Sequence, residues 1–275
     1  MRTLALVIIA IITLSNCTTS KQKDMEKVNI QLIRNATLRL NYGGKTILLD
    51  PMLSAKKSFM SFVVPDKNLN PTVDLPVSID QVIDGVDVVL LTHAHPDHLD
   101  PKAIEVLPKD IPFFAQVADK NALSQTPFTN ITLVDSKQTF EGISITRTDG
   151  KHGPDELFQA LGTVSGFILR ADNYPTIYIV GDCLLDEDIE KTIATYQPDI
   201  IITNSGGALF MGDNRILMDV DETLKVAQLA PKAKVIAVHM EALDHCTVTR
   251  EAMKRAAQKA GVEIIIPKDG EVIDL

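Results

Sequence analysis

The sequence predicts an α/β protein, a four-layer αββα sandwich in which two mixed sheets pack face to face beneath outer helices. Three observations carry that prediction. From Val28 the front of the chain is rich in alternating apolar segments joined by hairpin signals. From Asp186 the back alternates amphipathic helices with short apolar strands. Hydrophobic residues make up 45% of the 275, enough to fill a core between two sheets, and no linker, low-complexity tract or internal repeat divides residues 28–275.

Taken in order, "VNIQLIR" and "ATLRLNY" alternate as strands, and "NYGGKTILLD" closes a hairpin through Gly43 and Gly44, which accept positive φ. Residues 53–79 contain Pro65, Pro71 and Pro76 and lack a clear period; loops of that length in compact domains are functional or mobile. "VDVVLLT" reads as a buried strand, "PKAIEVLP" as a short helix, "IPFFAQV" as a strand and residues 119–124 as a helix. Strands follow at "ITLV", "ISITRTD", "VSGFILRA" and "TIYIVGD". The helices "DEDIEKTIATY" and "DETLKVAQLA" lead through Pro198 and Pro231 into the strands "DIIITN" and "KVIAVH". A last helix, with Thr249 as N-cap and Gly261 as C-cap, leads into the strand "VEIIIP".

Composition removes some functions. A net charge of −9 without a basic stripe argues against a nucleic-acid partner, because phosphate binding needs clustered cations. Few aromatics and no tryptophan argue against a broad stacking surface. The N-terminus is an address rather than fold. Arg2 precedes an apolar run from Leu4 to Leu14, shorter than the ~20 residues that span a bilayer and suited to a secretory signal. Leu14-Ser15-Asn16-Cys17 resembles a bacterial lipobox, with Asn16 where a small residue is usual. That resemblance implies a signal peptide at 1–16, a lipid-modified Cys17, a polar tether at 17–27 and an exported, membrane-anchored protein facing the periplasm or cell exterior. Cys183 and Cys246 remain, either paired in an oxidising compartment or, the preferred reading, two small buried residues.

The chemistry concentrates in "LLTHAHPDHLD", which holds three of the six histidines directly after a strand. In extended chain His93 and His95 point the same way. Pro96 blocks a helix, and the adjacent Asp97 and His98 diverge from the first pair. One loop therefore feeds two neighbouring metal ions, with nitrogen and oxygen donors suited to zinc, iron or manganese.

His93-x-His95-x-Asp97-His98 resembles the H-x-H-x-D-H signature of the metallo-β-lactamase-fold hydrolases, and element order extends the resemblance over residues 28–275. It implies a first metal on His93, His95 and His152, a second on Asp97, His98 and His239, and Asp182 bridging them. His245 competes with His239 for the last position; His239 ends a buried strand and is preferred, whereas His245, in a loop, suits substrate contact. The implied cofactors are two divalent ions, zinc foremost with manganese or iron as alternatives. The implied reaction is attack of a metal-bridging hydroxide on an ester, lactone or phosphodiester of a small-molecule substrate. Asp97 and Asp182 are the catalytic carboxylates, Asp97 orienting the hydroxide and shuttling a proton.

Ser205 lacks a G-x-S-x-G elbow, so residues 204–207 read as a loop beside the site, with Asn204 either supporting a metal ligand or contacting substrate. The run "IRNATLRLNYGGKTILLDPML" is similar to the first strands of the ascorbate-6-phosphate lactonase and N-acyl-phosphatidylethanolamine phospholipase D groups. There a strand ends in Asp-Pro, here Asp50-Pro51, and Asp50 is expected to orient a metal ligand. Arg34-Asn35-Ala36-Thr37 stands where those groups carry a histidine, so no role for that histidine transfers. Segment 53–79, with Lys56, Lys57, Phe59, Met60, Phe62 and Val63, reads as a lid with an apolar face and two cations for an anionic group; a membrane contact or a packed surface loop are the alternatives. Two rival functions remain. Diiron redox proteins on this fold carry Glu where His95 stands, and a non-catalytic binding lipoprotein would lack a bridging ligand such as Asp182.

Overall fold

Strand alternation decides the layers. Val88 and Leu90 face the core between the sheets, while Val89 and Leu91 face outer helices, and all four are buried. In this computed structural model, which describes residues 25–275, the same split runs through both sheets. The signal-peptide and Cys17 expectations, and most of the tether, lie outside the described residues. No helix among the described residues is long and apolar enough to cross a membrane.

The first sheet takes β1 (Asn29–Arg34), β2 (Thr37–Tyr42) and β3 (Lys45–Leu49); a small hairpin of β4 (Phe59–Met60) and β5 (Asn68–Asn70) follows. The sheet then adds β6 (Val88–Leu91), β7 (Phe113–Gln116) and β8 (Ile131–Val134). The second sheet contains β9 (Lys137–Phe140), β10 (Ile143–Gly150), β11 (Val164–Arg170), β12 (Ile177–Ile179) and β13 (Ile200–Asn204). After a hairpin of β14 (Leu209–Phe210) and β15 (Asn214–Arg215) come β16 (Lys234–Val238), also of the second sheet, and β17 (Val272–Asp274), which returns to the first. The sheet orders are β17-β1-β2-β3-β6-β7-β8 and β16-β13-β12-β11-β10-β9. β3-β6-β7-β8 and β12-β13-β16 are parallel, and the remaining pairs are antiparallel.

Between the sheets, Leu38, Leu40, Ile47 and Leu90 meet Phe167, Leu169, Ile179 and Ile202. Outside the first sheet lie α1 (Ile79–Ile83), α2 (Pro101–Val106) and α3 (Lys120–Leu123), contributing Val82, Ala103 and Leu123 to a second cluster. Outside the other sheet lie α5 (Glu187–Tyr196) and α6 (Val220–Leu229), burying Ile189, Ile193 and Val226, with α7 (Arg250–Ala260) beside them. α4 (Phe158–Leu161) stands apart from these layers, in the connection between β10 and β11. The four-layer expectation is met.

Three local readings change. "VEIIIP" makes only an isolated bridge, Ile265 to Ile236, because Pro267 cannot continue a ladder and Ile264 and Ile266 turn toward the α7 cluster. Segment 53–79 is not structureless: it folds β4 onto β5 and ends in a Ser78–Gln81 capping box at α1. The edge strands β9 and β17 were not anticipated, since both are largely exposed and carry no apolar run.

Candidate metal centre

Pairing directions place β1, β3 and β6 parallel to one another, and likewise β10, β12, β13 and β16. Asn35, Asp50 and His93 sit just past the ends of the first three, and His152, Asp182 and His239 just past β10, β12 and β16; Asn204 closes β13. Carboxyl ends of parallel strands are where open α/β sheets bind ligands. Asn35, Asp50 and His239 hold φ of +59°, +43° and +62°, a left-handed backbone that costs a non-glycine residue energy and marks functional turns. Gly181 allows the turn before Asp182: its φ is +76°, and a Cβ there would meet the Ser165 carbonyl at 2.7 Å.

These turns bring seven side chains together. His93, His95 and His152 offer one set of donor atoms, and Asp97, His98, Asp182 and His239 another, each within 4.8 Å of one another. Asp182 Oδ2 lies 3.9 Å from His93 Nε2 and 3.8 Å from His152 Nε2, but also 3.2 Å from His98 Nε2 and 3.6 Å from His239 Nε2. Two donors each ~2.1 Å from a shared tetrahedral ion stand about 3.4 Å apart. One carboxylate oxygen thus has ion-sharing distances to both sets. His245 belongs to neither.

A ring of partners fixes the donors. Asp50 accepts from the Thr92 N–H (2.8 Å) and hydroxyl (2.7 Å), and its Oδ2 holds His98 Nδ1 at 2.9 Å. The expected orienting role of Asp50 therefore has its geometry. His152 donates from Nδ1 to the Ile216 carbonyl at 2.9 Å, turning Nε2 toward the cluster. Asn204 donates to Asp182 Oδ1 at 2.6 Å and leaves Oδ2 facing the histidines; of the two roles expected for it, this contact is the one that supports a candidate ligand. Asn35 donates to the Asp97 carbonyl at 3.2 Å and accepts from the His239 N–H at 2.9 Å, tying the two loops. Thr92 escaped the sequence reading, although a polar residue ending an apolar strand beside the motif was its signal.

The electrostatics fit divalent cations. Burial lowers the His93 pKa well below the ordinary range and that of His152 below it, leaving neutral rings, the protonation state that binds metal. Burial also works against charge on His98 and His239, but Asp182 and Asp97 outweigh it and push both well above. Asp97 and Asp182, raised by burial, are held down in return by His98 and His239. Protons on these two histidines stand where cations would neutralise the carboxylates, and binding would displace them. His98 Nε2 is fully buried and makes no hydrogen bond, though Asp182 Oδ2 is 3.2 Å away: an orphaned donor aimed at the cluster.

A β-lactamase superfamily domain profile matches residues 45–240. The UPF0173 protein YddR of Bacillus subtilis is 38% identical over 250 residues, covering 89% of this chain and 98% of YddR. The chain belongs to the UPF0173 family of metal-dependent hydrolases within the β-lactamase superfamily. A UPF0173 metal-dependent hydrolase of Methanocaldococcus jannaschii is 28% identical over 208 residues, 75% of this chain and 90% of that one. The crystal structure of an isothiocyanate hydrolase from Delia radicum gut bacteria superposes with a TM-score of 0.83 at 35% identity, covering 89% of this chain and 98% of that one.

Beside the His/Asp cluster of this UPF0173 hydrolase lies a cavity of about 180 Å³, bordered by His95, Asp97, His152, Asp182 and His245 and walled by Phe62, Leu161, Phe210 and Ile216. Among the described residues no lysine or arginine lines it. Lys56 and Lys57, expected to face an anionic group, are exposed and lie outside the lining. The reason is how the β4–β5 segment is tied down. Asp244 accepts from the Ser61 hydroxyl, from the Phe62 N–H (3.2 Å) and from Asn70 Nδ2 (2.9 Å), and its own N–H donates to Asn70 Oδ1 (2.9 Å). That latch brings Phe62, not a lysine, over the cluster, its ring edge-on to His245 at 4.6 Å between centroids. Cys183 and Cys246 are free thiols; Cys246 Sγ rests 3.7 Å from His239 Nδ1.

Proposed function

We propose that this enzyme hydrolyses a small uncharged electrophile bearing an apolar substituent, with an isothiocyanate as the leading substrate class and an ester or lactone second, using two divalent ions, zinc foremost. The observation that carries this is the cavity: about 180 Å³, largely apolar walls and, among the described residues, no cationic side chain lining it beside the His/Asp cluster. A phosphodiester brings a permanent negative charge, and beyond the two ions the described walls, largely apolar, add no cationic side chain to hold it. The lactonase-like side of the branch resemblance therefore suits the cavity better than the phospholipase-like side. The isothiocyanate hydrolase that matches at 35% identity over 98% of its length supports the first choice.

Divalent cations bound by the two donor sets would acidify water and polarise the substrate's heteroatom. The chain's own residues do the rest. Asp182, held through Oδ1 by Asn204, keeps Oδ2 between the two sets. Asp97 borders the cavity and accepts the proton of the attacking water. For an isothiocyanate, the water oxygen bonds to the central carbon and the proton passes to nitrogen. The resulting thiocarbamate then loses its C–N bond as nitrogen takes a second proton, giving an amine and carbonyl sulfide. Phe62, Leu161 and Phe210 exclude bulk water from this exchange.

The test is a panel of phenyl isothiocyanate, p-nitrophenyl acetate, a γ-lactone and bis(p-nitrophenyl) phosphate, each with wild type, chelator-treated protein and His95→Ala. Turnover of the neutral compounds, lost in both controls, is expected. Cleavage of the phosphodiester in preference to every neutral compound would overturn the proposal.

A further inference from the structure

Among the described residues, His245 is the one titratable side chain bordering the cavity that neither donor set claims. It is 7% exposed and rigidly placed. The Leu209 N–H donates to its carbonyl at 3.0 Å, Phe62 packs against its ring, and the preceding Asp244 is the latch of the β4–β5 segment. Among the described residues neither ring nitrogen has a hydrogen-bond partner, and Nδ1 is sealed from solvent. Buried polar groups without partners are rare and point to a ligand or a catalytic role.

The two nitrogens are not equivalent. An enclosed N–H without an acceptor is rarer and costlier than an enclosed lone pair. We assign the lone pair to the sealed Nδ1 and the proton to Nε2, the nitrogen that is not sealed, on a ring that borders the cavity. Burial pulls the ring's pKa down to about 4, so it is uncharged at neutral pH.

We propose that His245 is a catalytic residue that donates a hydrogen bond from Nε2 to the substrate heteroatom on which negative charge builds as water adds to the neighbouring carbon. This rests on the reading of the substrate as a small neutral electrophile. The donor is neutral, so it adds no fixed charge to a site already carrying the metal sets. It is preorganised, so no reorientation is needed at the moment of reaction. The interaction strengthens as charge develops, so its loss appears in kcat more than in KM.

The experiment uses the full chain loaded with zinc: wild type, His245→Gln, which keeps a side-chain donor, and His245→Phe, which keeps a planar ring without one. Phenyl isothiocyanate and p-nitrophenyl acetate are the substrates; bound metal and thermal melting are measured alongside. His245→Phe is expected to lose about 10- to 100-fold in kcat with KM changed less than about threefold, and His245→Gln to recover part of that loss. Metal content stays at the wild-type value in both. Long-range proton–nitrogen NMR on histidine-labelled protein, with His245 assigned through the variants, is expected to show a neutral Nε2–H ring from pH 5.5 to 8. Wild-type kcat in His245→Phe, or no difference between the two variants, overturns the proposal. An Nδ1–H or charged ring at pH 7 overturns it independently. If wild type turns over nothing in the panel, the substrate reading fails, and the NMR signature still decides whether His245 presents a donor to the cavity.

Discussion

The floor of the site is made of strand ends, and its roof is made of loops. On the floor, six of the seven clustered side chains are buried; His93, His152, Asp182 and His239 sit within three residues of strand ends that share one apolar core, and Asp97 and His98 follow in the loop after β6. Positive φ at Asp50 and His239 is sustained there by hydrogen bonds to Thr92 and Asn35. The roof is different. Phe62, Leu161 and Phe210 come from a two-residue hairpin strand's turn, a one-turn helix and another minimal hairpin. Their neighbours Met60, Val63, Phe158 and Met211 are 63%, 59%, 54% and 67% exposed. The floor is over-determined by packing, whereas the roof segment carrying Phe62 hangs on bonds to Asp244. Donor geometry that must hold to a few tenths of an ångström is placed on rigid elements, and the part that meets the substrate's variable end is placed where change is tolerated.

Breaking the floor gives the largest effect. Asp182→Asn removes the oxygen with ion-sharing distances to both donor sets. Metal content measured by atomic emission is expected to fall for both, and kcat/KM to drop by at least about 10²- to 10³-fold. Full metal content with intact activity would mean the two sets do not depend on a shared carboxylate. Next comes Asp50, which touches no cavity and acts only through His98 Nδ1 and Thr92. Asp50→Asn is expected to weaken metal affinity about 10- to 100-fold in chelator competition. Because the residue lies under the floor, KM at saturating metal should stay at its wild-type value.

The same contrast separates what could be read from the sequence. The sandwich, the strands and the helix–strand alternation were legible because period-two and helical patterns report burial locally. The cluster was legible because His93, His95, Asp97 and His98 are contiguous, and because His152, Asp182 and His239 each follow a recognisable strand. The preference for His239 over His245 came from its buried strand, and the structure brings His239 into the cluster and leaves His245 at the cavity wall. The roof was not legible. Asp244 sits between 174 and 183 residues from the groups it binds, and nothing local in "EALDHCT" distinguishes it from a solvated loop acid. Lys56 and Lys57 drew the anionic-substrate expectation because charge is visible in a sequence while loop orientation is not. β17 was invisible for the same reason: its pairing with β1 spans nearly the whole chain and its side chains are mostly exposed.

The smallest expected effect is the one that tests the roof alone. Asp244→Ala removes the acceptors of Ser61, the Phe62 N–H and Asn70 while leaving every clustered donor in place. Each such hydrogen bond contributes about 0.5–1.5 kcal/mol net, so losing the three shifts the closed segment toward an open one by about one to three orders of magnitude at most. Part of that returns through Phe59, Phe62 and Val73, which stay packed on Met52 and Leu243. The expected readout is a KM for phenyl isothiocyanate raised about three- to tenfold, with kcat at saturation and metal content unchanged, since substrate closes the segment again at the cost of binding. Bulkier neutral substrates should gain relative to small ones, because an unlatched Phe62 no longer caps a cavity of about 180 Å³. A fall in kcat together with metal loss would show that roof and floor are one unit, and that the latch holds the donors as well as the lid.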